Sequence, residues 1–280
     1  MTYTELWRPL TAIYDEDEAR AVARLVLEVR FGLSFADVLS GRTGDEQELR
    51  RIQQRLLTGE PVQYVLGQAE FGSRMFRVAP GVLIPRPETY ELCQWVVEEC
   101  EKRSVCSILD IGTGSGCIAC TLAAELPQAT VTGWDISEEA LCIARENAER
   151  IGVSVSFAQV DALTLPPQSN HKLQTSNFKL QRIVSNPPYI CQSEAASMER
   201  NVLDYEPRTA LFVPDDDPLL FYRAISDYAL QALEPGGVLY FEINPLYADA
   251  LYEHLQAKGF CVEQRRDQFG KIRFTKAERP

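Results

Sequence analysis

The sequence predicts an α/β protein, a doubly wound and mostly parallel sheet preceded by a small helical bundle. Strand-length apolar runs alternate with helical patterns from about residue 87 onward, whereas residues 1 to about 60 carry helical patterns only. A glycine cluster, Gly112, Gly114 and Gly116, lies where the first of these strands runs into a helix.

The elements follow in order. Asp15 or Asp17 can cap a helix whose apolar face is Ala19, Val22, Val26 and Val29, ending at Gly32. Ser34 can start a short helix through Val38 and Leu39. Thr43 and Glu46 have capping-box spacing ahead of Leu49, Ile52 and Leu56, and Gly59 with Pro61 stops that helix. Residues 62–85, with Val62, Tyr64, Val65, Phe71, Phe76, Val78, Val82 and Ile84 interrupted by glycines, predict a β-hairpin connector. The expected organisation is therefore a helical domain over 1–61, the connector over 62–85 and a catalytic domain over 86–280.

Within the last, a helix carries Leu92, Trp95, Val96 and Cys100. Strands are expected over 105–111, 129–134, 153–160, 182–185, 237–243, 260–266 and 271–275. Helices are expected to about Leu126 and over 138–150, 218–233 and 247–258. Repeated β-α units give parallel neighbours. The short Asp267–Gly270 link makes the final two strands antiparallel, and a reversed strand at the end of a doubly wound sheet marks a seven-stranded methyltransferase-type sheet. The polar segment 166–181 reads as an irregular insertion.

Composition bounds the function. Of 280 residues, 45% are apolar and 24% charged, enough for a sizeable core and against disorder. Lys and Arg number 28 against 40 Asp and Glu, a net charge of −12. A phosphate-gripping nucleic-acid binder needs a basic face, and only short pairs such as Lys102–Arg103 and Arg265–Arg266 offer one. A small molecule or a protein is the expected partner, with no direct nucleic-acid contact. No apolar run reaches about 18 residues, so no membrane span is expected. The opening MTYTELWRPL lacks the character of a signal peptide, and a cytoplasmic protein is expected. Cys117 and Cys120 have metal-like spacing without a second pair or a nearby His, so reduced thiols and no metal are expected. His171 and His254 are the only histidines, one in the polar insertion and one in a late helix, which argues against triad or metal catalysis.

The chemistry is read at the carboxyl ends of the strands. In Asp110-Ile111-Gly112-Thr113-Gly114-Ser115-Gly116 the glycines allow a sharp turn and the close approach of a ligand to the backbone. Asp135 ends the second strand, where an acid can accept hydrogen bonds from both hydroxyls of a ribose. Asp161, with Ala162 beside it, ends the third and is placed to meet an adenine. No Lys or Arg accompanies them, so the pocket suits a nucleoside without phosphate, such as S-adenosylmethionine. Asn186-Pro187-Pro188-Tyr189 follows the fourth strand. Its prolines lack N–H groups and present carbonyls. The Asn186 side-chain oxygen and the Pro187 carbonyl can accept both hydrogens of a planar NH2 group, with Tyr189 as a flat stacking face. Orienting a weakly nucleophilic nitrogen in this way supplies much of the rate.

These motifs carry a resemblance. The chain resembles the peptide chain release factor N5-glutamine methyltransferases (the HemK/PrmC family) through GEPVQYVLG (59–67), EF (70–71), VLIPRPET (82–89), DIGTGSGCIA (110–119), WD (134–135), VSNPPYI (184–190) and YEPRTAL (205–211). The resemblance implies methyl transfer from S-adenosylmethionine, leaving S-adenosylhomocysteine, to the glutamine amide of the GGQ motif in class 1 release factors. It implies cofactor contacts from Gly112, Gly114, Gly116, Asp135 and Ala162, and substrate contacts from Asn186 through Tyr189, with Asn186 also near the methyl group. It further implies pocket-shaping by Arg86 and Glu88, partner docking by the N-terminal helices and a monomer. The chain departs from the family pattern at Tyr90, where an acid is usual, at Asn244-Pro245, where a glycine turn is usual, and in the length of 166–181. The alternative reading, an adenine-N6 nucleic-acid methyltransferase with the same NPPY chemistry, calls for a basic cleft and a recognition domain that this chain does not display.

Overall fold

The computed structural model describes residues 1–100, 106–165 and 180–280. Most of the expected 166–181 insertion, with His171, lies outside the described residues, as does the Lys102–Arg103 pair. Leu180 and Gln181 are strand instead: Leu180 pairs with Leu233, and Gln181 lies at a register shift where its N–H donates to the Ser107 hydroxyl oxygen at 3.1 Å and its Oε1 accepts the Ser107 N–H at 3.2 Å.

The chain divides into two compact units. The first comprises Met1–Gln68, Val78–Pro80 and Met198–Glu206. Its helices are α1 (Tyr3–Trp7), α2 (Glu16–Phe31), α3 (Phe35–Leu39), α4 (Glu46–Leu57) and α5 (Val62–Leu66), with a later helix returning to them. Local chemistry sets the boundaries. The Asp15 side chain accepts the Glu18 N–H to open α2, and Gly32 closes it at φ 65°. Ser34 and Asp37 form a reciprocal capping box on α3. Helix α4 is capped by Asp45, which accepts the Glu48 N–H at 2.9 Å, and not by the expected Thr43, whose hydroxyl donates to the Met1 carbonyl at 2.6 Å. Leu6, Leu10, Val26, Leu27, Leu49 and Leu56 make the core, each large aliphatic contributing roughly 1.5–3 kcal/mol on burial.

One expectation is corrected here. Residues 62–66 are helix, not part of the hairpin. Pro61, at φ −54°, opens a helical turn and Gly67, at φ 71°, caps it. Val62 and Val65 then share a face in the helical core, and this three-residue spacing outweighs their β propensity. The hairpin itself is confined to β1 (Gln68–Phe71) and β2 (Arg74–Arg77).

The second unit comprises Ala69–Arg77, Gly81–Ser197 and Pro207–Pro280. Its strands are β3 (Ser107–Ile111), β4 (Thr130–Asp135), β5 (Val155–Gln159), β6 (Leu180–Ser185), the two-residue pair β7 (Ile190–Cys191) and β8 (Phe212–Val213), β9 (Leu233–Glu242), β10 (Cys261–Arg266) and β11 (Ile272–Glu278). Its helices are α6 (Pro87–Cys100), α7 (Cys117–Glu125) and α8 (Glu138–Ile151), then, after α9 (Arg200–Tyr205) of the first unit, α10 (Arg208–Leu211), α11 (Leu220–Ala232) and α12 (Ala248–Ala257). The seven-stranded sheet has the order β10-β11-β9-β6-β3-β4-β5. Only β11 runs against its neighbours, antiparallel to both β9 and β10, so the expected methyltransferase-type sheet is present. Trp95, Val96, Ile118, Leu122 and Ala148 cover one face from α6, α7 and α8. Tyr222, Ile225, Leu251 and Leu255 cover the other from α11 and α12. No helix among the described residues is long and apolar enough to cross a membrane.

This topology places the site. The chain leaves β3 for β4 and β5 on one side, then returns to β6 on the other, so its direction switches beside β3. A crevice for a ligand opens at the carboxyl ends of the strands at such a switch.

Candidate active site

The glycine loop is built from backbone. Leaving β3, the N–H groups of Gly112 and Thr113 both donate to the Trp134 carbonyl of β4, at 2.8 and 2.9 Å. Gly112 and Gly114 sit at φ 76° and 55°, and a Cβ added at either would meet nothing within 4 Å. These two positions therefore need glycine for conformation and leave open room over the backbone. Gly116, at φ 79°, differs, because a Cβ there would come within 3.0 Å of the Ala144 Cβ of α8. Asn147 of α8 braces the loop: its Nδ2 donates to the carbonyls of Ser115 and Arg77, each at 2.9 Å, and its Oδ1 accepts the Arg77 N–H.

Two carboxylates flank the loop. Asp135 closes β4, its Oδ2 accepting the Gly114 N–H at 2.8 Å and its Oδ1 the Ser137 N–H at 2.9 Å. Burial raises its pKa, and these backbone donors oppose the rise. Asp110 is wholly buried. Its Oδ2 accepts the Thr113 hydroxyl at 2.6 Å and the Ala119 N–H at 3.2 Å, while its Oδ1 has no hydrogen-bond partner among the described residues. Burial lifts its pKa to about 7. Asp161 lies two residues beyond β5 and caps the turn Ala162–Thr164, accepting the Leu163 N–H at 2.8 Å. Ile136 and Leu163, one after each acid-bearing strand end, leave their apolar side chains exposed. Open glycines, the Asp135 carboxylate beside them and exposed apolar groups fit a nucleoside cofactor.

The second half of the site is built from side chains. Ser185, last in β6, donates its hydroxyl to the Ile111 carbonyl at 2.6 Å and locks β6 to β3 just before Asn186. Register pairs Ser185 with Phe241 of β9, so Asn186 emerges beside Glu242. Asn186 Nδ2 donates to Thr89 Oγ1 at 3.2 Å, and Thr89 donates to Glu242 Oε2 at 2.6 Å. The Tyr189 hydroxyl donates to the other oxygen, Oε1, at 3.0 Å. Burial raises the Glu242 pKa, opposed by these two donated bonds and by the Arg273 charge. Burial also pushes the Tyr189 phenol far above its ordinary value, and Glu242 adds to the rise, so Tyr189 stays protonated. Pro187 is buried, while Pro188 is half-buried.

The structure thus brings Asn186, Pro187, Pro188 and Tyr189 together with Thr89 and Glu242, neither of which was singled out from sequence. Arg86 and Glu88, which were, lie in the same IPRPET segment. The Arg86 carbonyl accepts the Thr89 N–H at 3.1 Å, and Glu88 acts on Glu242 through its charge. Thr89 could have been found only from its place in the first turn of α6, facing inward three residues before Leu92.

The departures also acquire a physical role. Tyr90 packs edge-on against Phe71 at 5.5 Å and closes over Gly72, where a Cβ would lie 2.3 Å from its ring. Asn244 caps the turn after β9 through the Leu246 N–H, and its Nδ2 donates to the Tyr189 carbonyl at 3.1 Å and to Glu194 at 3.0 Å. His254 pairs with Ser226 on α11 at 3.3 Å, outside this constellation.

Comparison with known proteins agrees with this geometry. A methyltransferase domain model matches residues 102–264 and a PrmC N-terminal domain model matches residues 9–67. A release factor glutamine methyltransferase of Bacteroides thetaiotaomicron is 45% identical over 276 residues, covering 96% of both chains. The chain belongs to the release factor glutamine methyltransferase family. A second member, from Flavobacterium psychrophilum, is 37% identical over 98% of this chain and 96% of its own. A third, from Chlorobaculum tepidum, is 39% identical over 96% and 94%. Among solved structures, the catalytic domain of hMettl16 bound to an RNA hairpin superposes with a TM-score of 0.54 at 18% identity, covering 86% of this chain and 85% of its own, a likeness of fold alone. Within the family, the intact NPPY segment and glycine loop mark an enzyme rather than a nucleoside-binding module.

Proposed function

We propose that this chain transfers a methyl group from S-adenosylmethionine to the side-chain amide nitrogen of the glutamine in the GGQ motif of class 1 peptide chain release factors. The observation that carries this reading is the engaged Asn186 amide, on a chain that aligns end to end with release factor glutamine methyltransferases. Its Nδ2 is held by Thr89, which leaves Oδ1 to accept one hydrogen of a substrate NH2, and the Pro187 carbonyl is assigned the other.

Gly112, Thr113, Gly114 and Ser115 are assigned the cofactor's amino-acid portion, with Gly116 supporting them by its packing on α8. Asp135 is assigned the ribose hydroxyls, and Asp161, Ala162, Ile136 and Leu163 the adenine. When bound, S-adenosylmethionine supplies the electrophilic methyl group. The chain's part is orientation. Asn186 and Pro187 point the amide nitrogen, the Tyr189 ring walls one side, and its protonated phenol excludes it as a base. The methylated nitrogen is acidic enough to release its extra proton to water, so no strong base is required. Residues 1–61 are assigned to docking the release factor, with Phe35 and Leu39 left exposed on that helical segment. Residues 62–85, opened by helix α5 and carrying the β1–β2 hairpin, are assigned to the connector and 86–280 to catalysis.

The test is transfer of labelled methyl to a purified class 1 release factor carrying GGQ or GGA. Labelling of GGQ alone is expected. Labelling of neither, by a chain that still binds the cofactor, overturns the substrate assignment and turns attention to adenine in nucleic acid.

A further inference from the structure

We infer that Thr89 and Glu242 are positioning residues which decide which way round the Asn186 amide faces. This inference rests on the amide methyl transfer proposed above. It is carried by a count of protons across three contacts that come from three separate elements.

Asn186 Nδ2 stands 3.2 Å from Thr89 Oγ1, and Thr89 Oγ1 stands 2.6 Å from Glu242 Oε2. A threonine hydroxyl has one proton, and an ionised carboxylate only accepts. The Thr89 proton therefore points to Glu242, and a lone pair is what Thr89 offers to Asn186. Only the NH2 end of the asparagine can meet a lone pair, so Oδ1 is turned to the substrate. The flipped amide would set oxygen against oxygen at Thr89 and NH2 against the NH2 of the substrate, like against like at both ends.

The surroundings keep this count closed. Thr89 is 3% exposed and Glu242 2%, so bulk water does not offer a substitute proton. Burial raises the Glu242 pKa, and Arg273 with the two donated bonds opposes that rise, which holds the carboxylate as an acceptor toward Thr89 and Tyr189. Tyr189 occupies the remaining oxygen at 3.0 Å, so the first and last residues of NPPY are tied to one carboxylate. The site is thereby biased toward a group that donates two hydrogens, a carboxamide or amine, and against a carboxylate of the same shape, because a polar site rejects a mismatched partner strongly.

The test compares Thr89→Val, which keeps the shape and removes the hydroxyl, with Thr89→Ser, which restores it, and adds Glu242→Gln. Steady-state methylation of the release factor, cofactor affinity by calorimetry and thermal midpoint are read for each. The expected result is a kcat lower by roughly 10- to 100-fold in Thr89→Val, recovery to within about threefold in Thr89→Ser, and a loss of at least about tenfold in Glu242→Gln. Cofactor affinity should stay near wild type throughout. A Thr89→Val enzyme with wild-type kcat, a serine variant that fails to recover, or a loss that tracks cofactor affinity instead of kcat would each overturn the inference. Failure of the underlying reading looks different, since the wild-type protein would then leave the release factor unmethylated.

Discussion

The two halves of the active edge are made from different materials. At the ends of β3 and β4 the loop is held through its own backbone groups: two N–H groups donate to the Trp134 carbonyl, one donates to the Asp135 carboxylate, and the Ser115 carbonyl accepts from Asn147. At the ends of β6 and β9 the NPPY segment is held by side chains 97 and 53 residues distant in sequence, through Asn186–Thr89 and Tyr189–Glu242. Backbone scaffolding tolerates most side chains but demands glycine where φ is positive. Side-chain scaffolding tolerates backbone variation but demands a matched set of donors and acceptors. The first half should therefore fail in cofactor binding, and the second in turnover.

The largest effect expected is in the second half. Asn186→Ala should lower kcat by about 100-fold or more, as loss of a preorganised polar contact at the reacting group does. Cofactor affinity measured by calorimetry should change little, and a matching loss there would erase the distinction between the halves.

In the first half, Gly114→Ala faces open space but a positive φ of 55°. It should weaken cofactor binding by about tenfold, in keeping with roughly 1–2 kcal/mol of left-handed backbone strain. Gly116→Ala meets both strain and the Ala144 Cβ, and should lower the thermal midpoint further than Gly114→Ala does.

Asp110 sharpens the comparison through pH. Its folded pKa is near 7 against an ordinary 3.8. Between those values the folded state keeps a proton that the unfolded state has lost, so this group's contribution to stability falls as pH rises. The penalty is complete above about pH 7 and of the order of 4 kcal/mol. Asp110→Asn removes it, so the melting-temperature difference between variant and wild type should grow from pH 4 to pH 8. A constant difference would mean that the carboxylate is not penalised by burial.

The smallest effect is reserved for Asn244→Gly, which restores the turn usual in the family and removes the hydrogen bond to the Tyr189 carbonyl. Stability should drop by about 1 kcal/mol, as for a single lost hydrogen bond, and KM for the release factor should rise a few-fold. Unchanged KM would assign Asn244 to the turn alone.

Most of the fold was legible because its signals are local. Asp15, Ser34 and Gly32 cap helices within a few residues of themselves, and the alternation of strand and helix patterns dictates a parallel sheet. The errors were local too. Asp45 displaced Thr43 as a cap, and the helical spacing of Val62 and Val65 between Pro61 and Gly67 outweighed their strand-forming character.

What the sequence by itself determined is the set of motifs, their order along the chain and their arrival at one edge of the sheet, since glycine turns, prolines and strand ends act through the residues next to them. Tertiary structure alone decided that Thr89 and Glu242 meet Asn186 and Tyr189, that Asp110 is wholly buried, and that Gly116 answers to Ala144 while Gly112 and Gly114 face open space. The physical reason is that hydrogen-bond direction, burial and steric clearance depend on strand register and helix packing, which bring together residues that no local pattern connects.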